Sequence, residues 1–145
     1  RQDPHGEAGV DASFCGRILA GRPMAAFGDG TQTRDYVFVK DVARANVAAA
    51  AANVPPARVL ESRAFNVGTG VETSVNTLAG TLRGAAGSRV PIEYAPARPG
   101  EQQRSAVAIG KAASALGWRP EVALEEGLRQ TYAFFAERDA APRSA

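Results

Sequence analysis

The sequence predicts a mixed α/β fold, and three observations lead there. Short runs rich in β-branched and aromatic residues recur between stretches of helical periodicity, glycine turns punctuate the passage from one to the other, and no repeat or flexible linker divides the chain. With 145 residues, 45% of them hydrophobic and 22% charged, the chain is long enough to bury a real core.

The elements follow in order. Phe14, Ile18 and Leu19 recur at helical spacing over Ala12–Ala20, and Gly21-Arg22-Pro23 ends that helix. Met24-Ala25-Ala26-Phe27 reads as a strand entering Gly28-Asp29-Gly30-Thr31, and Tyr36-Val37-Phe38-Val39 reads as a second strand. Asp41 is placed to N-cap an alanine-rich helix running to Ala52, which Pro55-Pro56 closes off. Ala64–Val67 is a predicted strand running into Gly68-Thr69-Gly70. Thr73 or Ser74 then caps a helix with Val75, Leu78, Ala79 and Leu82 on one face. Pro91–Tyr94 is a short strand, and a polar loop runs from Arg98 to Arg104. A small helix spans Lys111–Leu116 and stops at Gly117, and Leu124, Leu128, Thr131 and Phe135 mark a final helix whose tail frays from Ala140.

Composition removes several classes of function. The 17 Lys and Arg stand against 15 Asp and Glu, a net +2 with no basic block, so nothing suits a nucleic-acid backbone. The longest apolar runs fall short of a membrane span, and the N-terminus has no signal pattern; a cytoplasmic protein without membrane or nucleic-acid partners is expected. Cys15 is the single cysteine and is expected to be a buried small hydrophobe. His5 is alone, and no Cys/His/Asp/Glu spacing suggests a metal site. The serines sit in no nucleophile-elbow context.

Three features could carry chemistry. Gly68-Thr69-Gly70 could cradle a phosphate at a helix N-terminus, but Thr73 stands where the dinucleotide fingerprint needs its third glycine, as Thr33 does after Gly28-Asp29-Gly30. Tight turns are the better reading of both. Tyr36 and Lys40 have the Y-x-x-x-K spacing, but on a strand they would lie about 13 Å apart, too far for the ammonium to lower the tyrosine pKa. Arg34 ends one loop, and Arg98 opens another that also carries Glu101. Arginine forks suit diphosphates and carboxylates suit ribose hydroxyls, yet from the residues alone solvated loop charges remain the commoner role.

Taken together, Arg1–Val10, Phe27-Gly28-Asp29-Gly30-Thr31-Gln32-Thr33-Arg34-Asp35-Tyr36-Val37-Phe38-Val39, Phe65-Asn66-Val67-Gly68-Thr69-Gly70, Arg98-Pro99-Gly100-Glu101 and Leu116-Gly117-Trp118 resemble the extended short-chain dehydrogenase/reductase family of NAD-dependent epimerases and dehydratases, and most of all its nucleotide-sugar 4-epimerase branch. The resemblance runs from residue 1 to about residue 138.

The resemblance implies that residues 1–145 are the C-terminal substrate-binding portion of a Rossmann-type enzyme: a small mixed α/β domain plus the last strand–helix units of the NAD-binding sheet. The NAD-binding half, and the catalytic tyrosine, lysine and serine or threonine, are expected upstream of Arg1. By the same resemblance the backbones of Ala25 and Phe27 meet the base, Arg34 and Arg98 clamp the diphosphate, and Glu101 takes the ribose hydroxyls of UDP-glucose or UDP-galactose. NAD is the implied cofactor, oxidising the sugar at C4 and returning the hydride to the other face, and a homodimer is the implied assembly; the alternatives are a nucleotide-sugar dehydratase, decarboxylase or reductase of the same family, or a non-catalytic nucleotide-sugar-binding fragment. The chain departs from the family pattern at Asp11, Ser13, Lys40, Ala108, Gly110 and Ala123, the last removing a helix cap worth about 1 kcal/mol. Strands at Phe38 and Val67 are expected to seek sheet partners outside these residues, leaving edges prone to association.

Overall fold

The computed structural model describes residues 9–54 and 63–140, in the order α1 (Val10–Leu19), β1 (Met24–Phe27), β2 (Thr33–Arg34), α2 (Val39–Ala51), β3 (Thr73–Ser74), α3 (Val75–Ala85), β4 (Ile92–Ala95), α4 (Gly110–Leu116) and α5 (Leu124–Ala140). Among the described residues these elements form two compact units, residues 9–32, 74–103 and 125–140 in one and residues 33–54, 63–73 and 104–124 in the other. The expectations for His5, Pro55-Pro56 and the tail beyond Ala140 lie outside the described residues.

The first unit is built on a parallel pair, with Met24 opposite Ile92 and Phe27 opposite Ala95. A parallel pair requires a crossover, which α3 provides. Met24 and Ala26 are buried while Ala25 and Phe27 are half-buried, so the period of two along β1 gives the strand one core face. Against that face pack α1, through Phe14, Cys15 and Ile18, and α3, through the predicted stripe Val75, Leu78, Ala79 and Leu82. Ser74 caps α3, accepting the Thr77 N–H at 3.0 Å. Ser13 points outward and Asp11 sits in the first turn of α1, where a carboxylate favours the helix dipole; neither breaks the buried stripe.

The second unit has a smaller core of Ala45, Ala112 and Trp118, with Phe65, Val67 and Leu116 packed against it. Gly117 ends α4 in the left-handed region at φ 62°.

Three sequence expectations are corrected in this unit. Tyr36–Val39 is not a strand: Tyr36, Val37 and Phe38 are all half-buried, without the alternation a one-sided strand shows, and Val39 already begins α2. Asp41 is not the N-cap of α2. Phe38 occupies that position with no side-chain cap, while Asp41 lies inside the first turn and is only 1% exposed. Ala64–Val67 alternates, with Phe65 and Val67 turned toward the core, but it is not the predicted strand, forming no ladder among the described residues; Lys111 Nζ donates to the Ala64 carbonyl at 2.8 Å.

Candidate functional site

In the first unit the candidate site grows from the outer edge of β1. The N–H groups of Met24 and Gly28 donate toward β4, to Pro91 O and Ala95 O at 2.9 Å each. Because successive peptide groups along a strand face opposite sides, those of Ala25 and Phe27 face the other edge, which pairs with no strand among the described residues. Phe27 O takes the Gln32 Nε2 donor there at 2.8 Å. The turn that follows is firmly built. Gly28 and Gly30 have φ of 69° and 73°, and Asp29 Oδ1 accepts both Thr31 N, at 2.9 Å, and Thr31 Oγ1, at 2.6 Å. Asn76 then anchors the turn, its N–H donating to Gly30 O at 3.0 Å and its Nδ2 to Asp29 O at 2.9 Å, and Tyr94 Oη holds Asn76 Oδ1 at 3.0 Å. A side chain at Gly30 would collide with the Asn76 amide.

Arg98 meets the end of this strand. Its guanidinium lies over the Phe27 ring, 3.9 Å from the centroid, a cation–π contact that holds the head group at the end of the strand. The Glu101 N–H donates to Arg98 O at 3.2 Å, closing the turn that carries both residues. The structure therefore brings four of the five expected ligand residues, Ala25, Phe27, Arg98 and Glu101, into one unit.

Arg34 belongs to the second unit, half-buried on β2 with Nη1 donating to Thr33 O at 2.7 Å. Beside it stands a residue that sequence reasoning missed. Asp35 Oδ1 accepts Thr69 N at 2.7 Å and Thr69 Oγ1 at 2.5 Å, while Oδ2 accepts Gly70 N at 2.9 Å and Val107 N at 3.3 Å. Burial works against the charge on Asp35, but these donors outweigh it and hold the carboxyl below its ordinary value. Asp41, also missed in this role, accepts Glu121 N and Val122 N at 3.0 Å each and Arg44 Nη2 at 2.6 Å, and its backbone carbonyl takes Trp118 Nε1 at 2.9 Å. Its carboxyl is likewise held low against the opposing effect of burial. Arg104 forks onto Glu72, which also accepts Thr33 Oγ1 at 2.8 Å. Between the segments pinned by Asp35 and Asp41 lies a cavity of about 400 Å³, lined by Tyr36, Thr69, Val71, Thr73 and residues 120–124. Tyr36 precedes α2 and Lys40 lies within it, so the two do not share the helix that a Y-x-x-x-K pair needs.

These contacts decide how the glycine turns treat a dinucleotide such as NAD. In the Gly68–Gly70 turn the N–H groups of Thr69 and Gly70, which would face a pyrophosphate, are committed to Asp35. In the Gly28–Gly30 turn Asp29 folds back onto Thr31. Neither turn fits the cofactor's phosphates. Among the described residues no group of three His, Cys, Asp or Glu could hold a metal ion, and no helix is long and apolar enough to cross a membrane.

The chain matches the GDP-mannose 4,6 dehydratase family over residues 4–131 and belongs to that family of nucleotide-sugar epimerases and dehydratases. UDP-glucose 4-epimerase of Mycolicibacterium smegmatis is 49% identical to it over 138 residues, covering 95% of this chain and 42% of that protein. The crystal structure of UDP-glucose 4-epimerase with UDP-glucose from Thermotoga maritima aligns with a TM-score of 0.83 at 43% identity, covering 95% of this chain and 42% of that one. The Thermus thermophilus UDP-glucose 4-epimerase complex with NAD aligns with a TM-score of 0.79 at 38% identity, covering 97% and 43%. The fold is thus that of part of a Rossmann-type epimerase, and the chain spans well under half the length of these relatives.

Proposed function

We propose that residues 1–145 form the nucleotide-sugar-binding portion of an NAD-dependent UDP-glucose 4-epimerase. One observation carries this reading: the Arg98 guanidinium lies over the Phe27 ring, at the end of a strand whose Ala25 and Phe27 peptide groups face its unpaired side, with Glu101 on the same turn as Arg98. Outward peptide groups can read the edge of a uracil, and a guanidinium held in place can donate two parallel charge-assisted bonds to a diphosphate. In this reading Glu101 would accept from ribose hydroxyls, and Arg34, from the other unit, would be a further contact to the diphosphate. Binding the unreacting nucleotide in this way supplies the energy that holds the sugar in place for chemistry elsewhere. The catalytic tyrosine, lysine and hydroxyl, and the main NAD site, are assigned outside these 145 residues, in a cytoplasmic homodimer.

The family match, described as a dehydratase, favours a second reading in which the same handle serves a dehydratase, decarboxylase or reductase. Product analysis separates the two. The protein carrying this chain together with its NAD-holding portion should convert UDP-galactose to UDP-glucose with no loss of water or carbon dioxide. A deoxy-keto or decarboxylated product would replace the epimerase reading with the second. Residues 1–145 alone should show no turnover, and measurable epimerisation by them would refute the assignment of catalysis elsewhere.

A further inference from the structure

The Asp35 carboxylate fills the place that an external anion takes in a glycine-turn phosphate site. Four donors converge on it, two on each oxygen: Thr69 N and Thr69 Oγ1 on Oδ1, Gly70 N and Val107 N on Oδ2. Gly68 is shaped to admit it, because a Cβ at that position would stand 2.5 Å from Asp35 Oδ2 and overlap the Val107 side chain. The covalent neighbour of this seated anion is Arg34. A planar peptide joins the two, so fixing the Asp35 side chain fixes the backbone from which the Arg34 guanidinium extends. The electrostatics are equally specific. An unengaged carboxylate one residue away would compete with any ligand for the guanidinium, whereas one already surrounded by four donors does not.

We propose that Asp35 is a positioning residue for Arg34: an internal anion, permanently seated in the Gly68–Gly70 turn, that sets where Arg34 meets a diphosphate. The proposal rests on the reading of Arg34 as a nucleotide contact. It also turns the glycine turn from a candidate phosphate cradle into a device that keeps external phosphate out of its N–H groups.

The test is calorimetric titration of UDP into the chain and into Arg34→Ala, Asp35→Ala and the double variant, each followed by a thermal melt. Asp35→Ala should weaken UDP binding about 10-fold or more, in line with the loss of charge-assisted hydrogen bonds. The double variant should bind no worse than Arg34→Ala, because the two residues act as one unit. Sodium formate, which can occupy the vacated seat, should restore both the melting temperature and part of the UDP affinity of Asp35→Ala, while sodium chloride at equal ionic strength should not. Formate should do nothing for Arg34→Ala. If Asp35→Ala lowers the melting temperature but leaves UDP affinity intact while Arg34→Ala weakens it, the positioning role is overturned and the nucleotide reading stands. If UDP binds equally well without Arg34, the nucleotide reading of Arg34 fails and the positioning role falls with it. Should Asp35→Ala not fold, Asp35→Asn, which keeps the size but turns amide hydrogens on Gly70 and Val107, must show the same split.

Discussion

The Arg98 guanidinium stands 3.9 Å from the centroid of the Phe27 ring, so the cation on one loop is oriented by the aromatic at the end of a core strand. The strand itself is fixed by Met24 and Ala26 in the core, and the stacking passes that rigidity to a side chain that is otherwise exposed. Phe27→Ala should therefore weaken UDP binding although Phe27 carries no charge, and Phe27→Tyr, which keeps the ring, should not. Arg98→Lys should lose about 10-fold in affinity, because an ammonium cannot reproduce the fork. Titration of UDP into the three variants checks this, and equal affinity for Phe27→Ala and the parent chain would show that the stacking does not order the guanidinium for binding.

Asp41 ties α2 to the segment at residues 121–122 and, through Arg44, to Glu121. Replacing it by Ala leaves the Glu121 and Val122 N–H groups and the Arg44 guanidinium without their shared acceptor and should cost about 2 kcal/mol of stability. Denaturant melts read the difference directly; a loss below 0.5 kcal/mol, the scale of an ordinary surface change, would contradict the account.

Acid should unfold the chain through the same carboxylates. Asp35 and Asp41 are both held below their ordinary value of 3.8 in the folded state. A depressed folded value contributes stability that is complete above the unfolded value and is lost as pH falls through the folded one. The melting temperature should be level down to about pH 5 and fall below it, and Asp41→Asn should flatten that fall. A melting temperature as high at pH 3 as at pH 6 would count against these assignments.

Cys15 is fully buried, and burial, helped by the Asp11 charge, pushes its thiol up to about 12 from 9.0. A disulfide reagent at pH 8 should leave the folded chain unlabelled and react only after denaturant is added. The sign for stability is the reverse of the carboxylates: the thiol's contribution is complete below 9.0 and is lost progressively as pH rises toward 12. Rapid labelling under native conditions would place Cys15 at the surface.

Ser74→Ala removes the acceptor for Thr77 N and should cost about 1 kcal/mol, while Ser74→Asp should hold stability because a carboxylate also caps. Circular dichroism melts of the two variants, compared with the parent, provide the check.

Much of this fold is legible where a local rule acts alone. The stripe of Val75, Leu78, Ala79 and Leu82, the Ser74 cap, the Gly117 stop and the strands at Met24 and Ile92 follow from period, capping and turn chemistry, and all are found. Two of the misses, at the start of α2, share one cause. Tyr36–Val39 has strand composition and Asp41 has cap chemistry, but distant donors at residues 118, 121 and 122 give Asp41 other work and the helix starts earlier. No local rule contains a partner 80 residues away. Site residues divide in the same way: Arg98 beside Glu101 stands out as chemistry in a loop, whereas Asp35 and Gln32 look like ordinary loop polars until their partners at residues 69, 70, 107 and 27 are placed. The one signal for Asp35 in the sequence is Gly68, a glycine whose reason is the carboxylate pressed against it.

Whether these residues hold the nucleotide of a nucleotide sugar is decided by calorimetric titration of UDP and dTDP into the purified chain, with Arg98→Ala alongside. UDP should bind more tightly than dTDP, and Arg98→Ala should weaken UDP binding at least 10-fold through the loss of charge-assisted contacts to the diphosphate. A folded chain that binds neither nucleotide, or binds UDP as well without Arg98, would contradict the nucleotide reading.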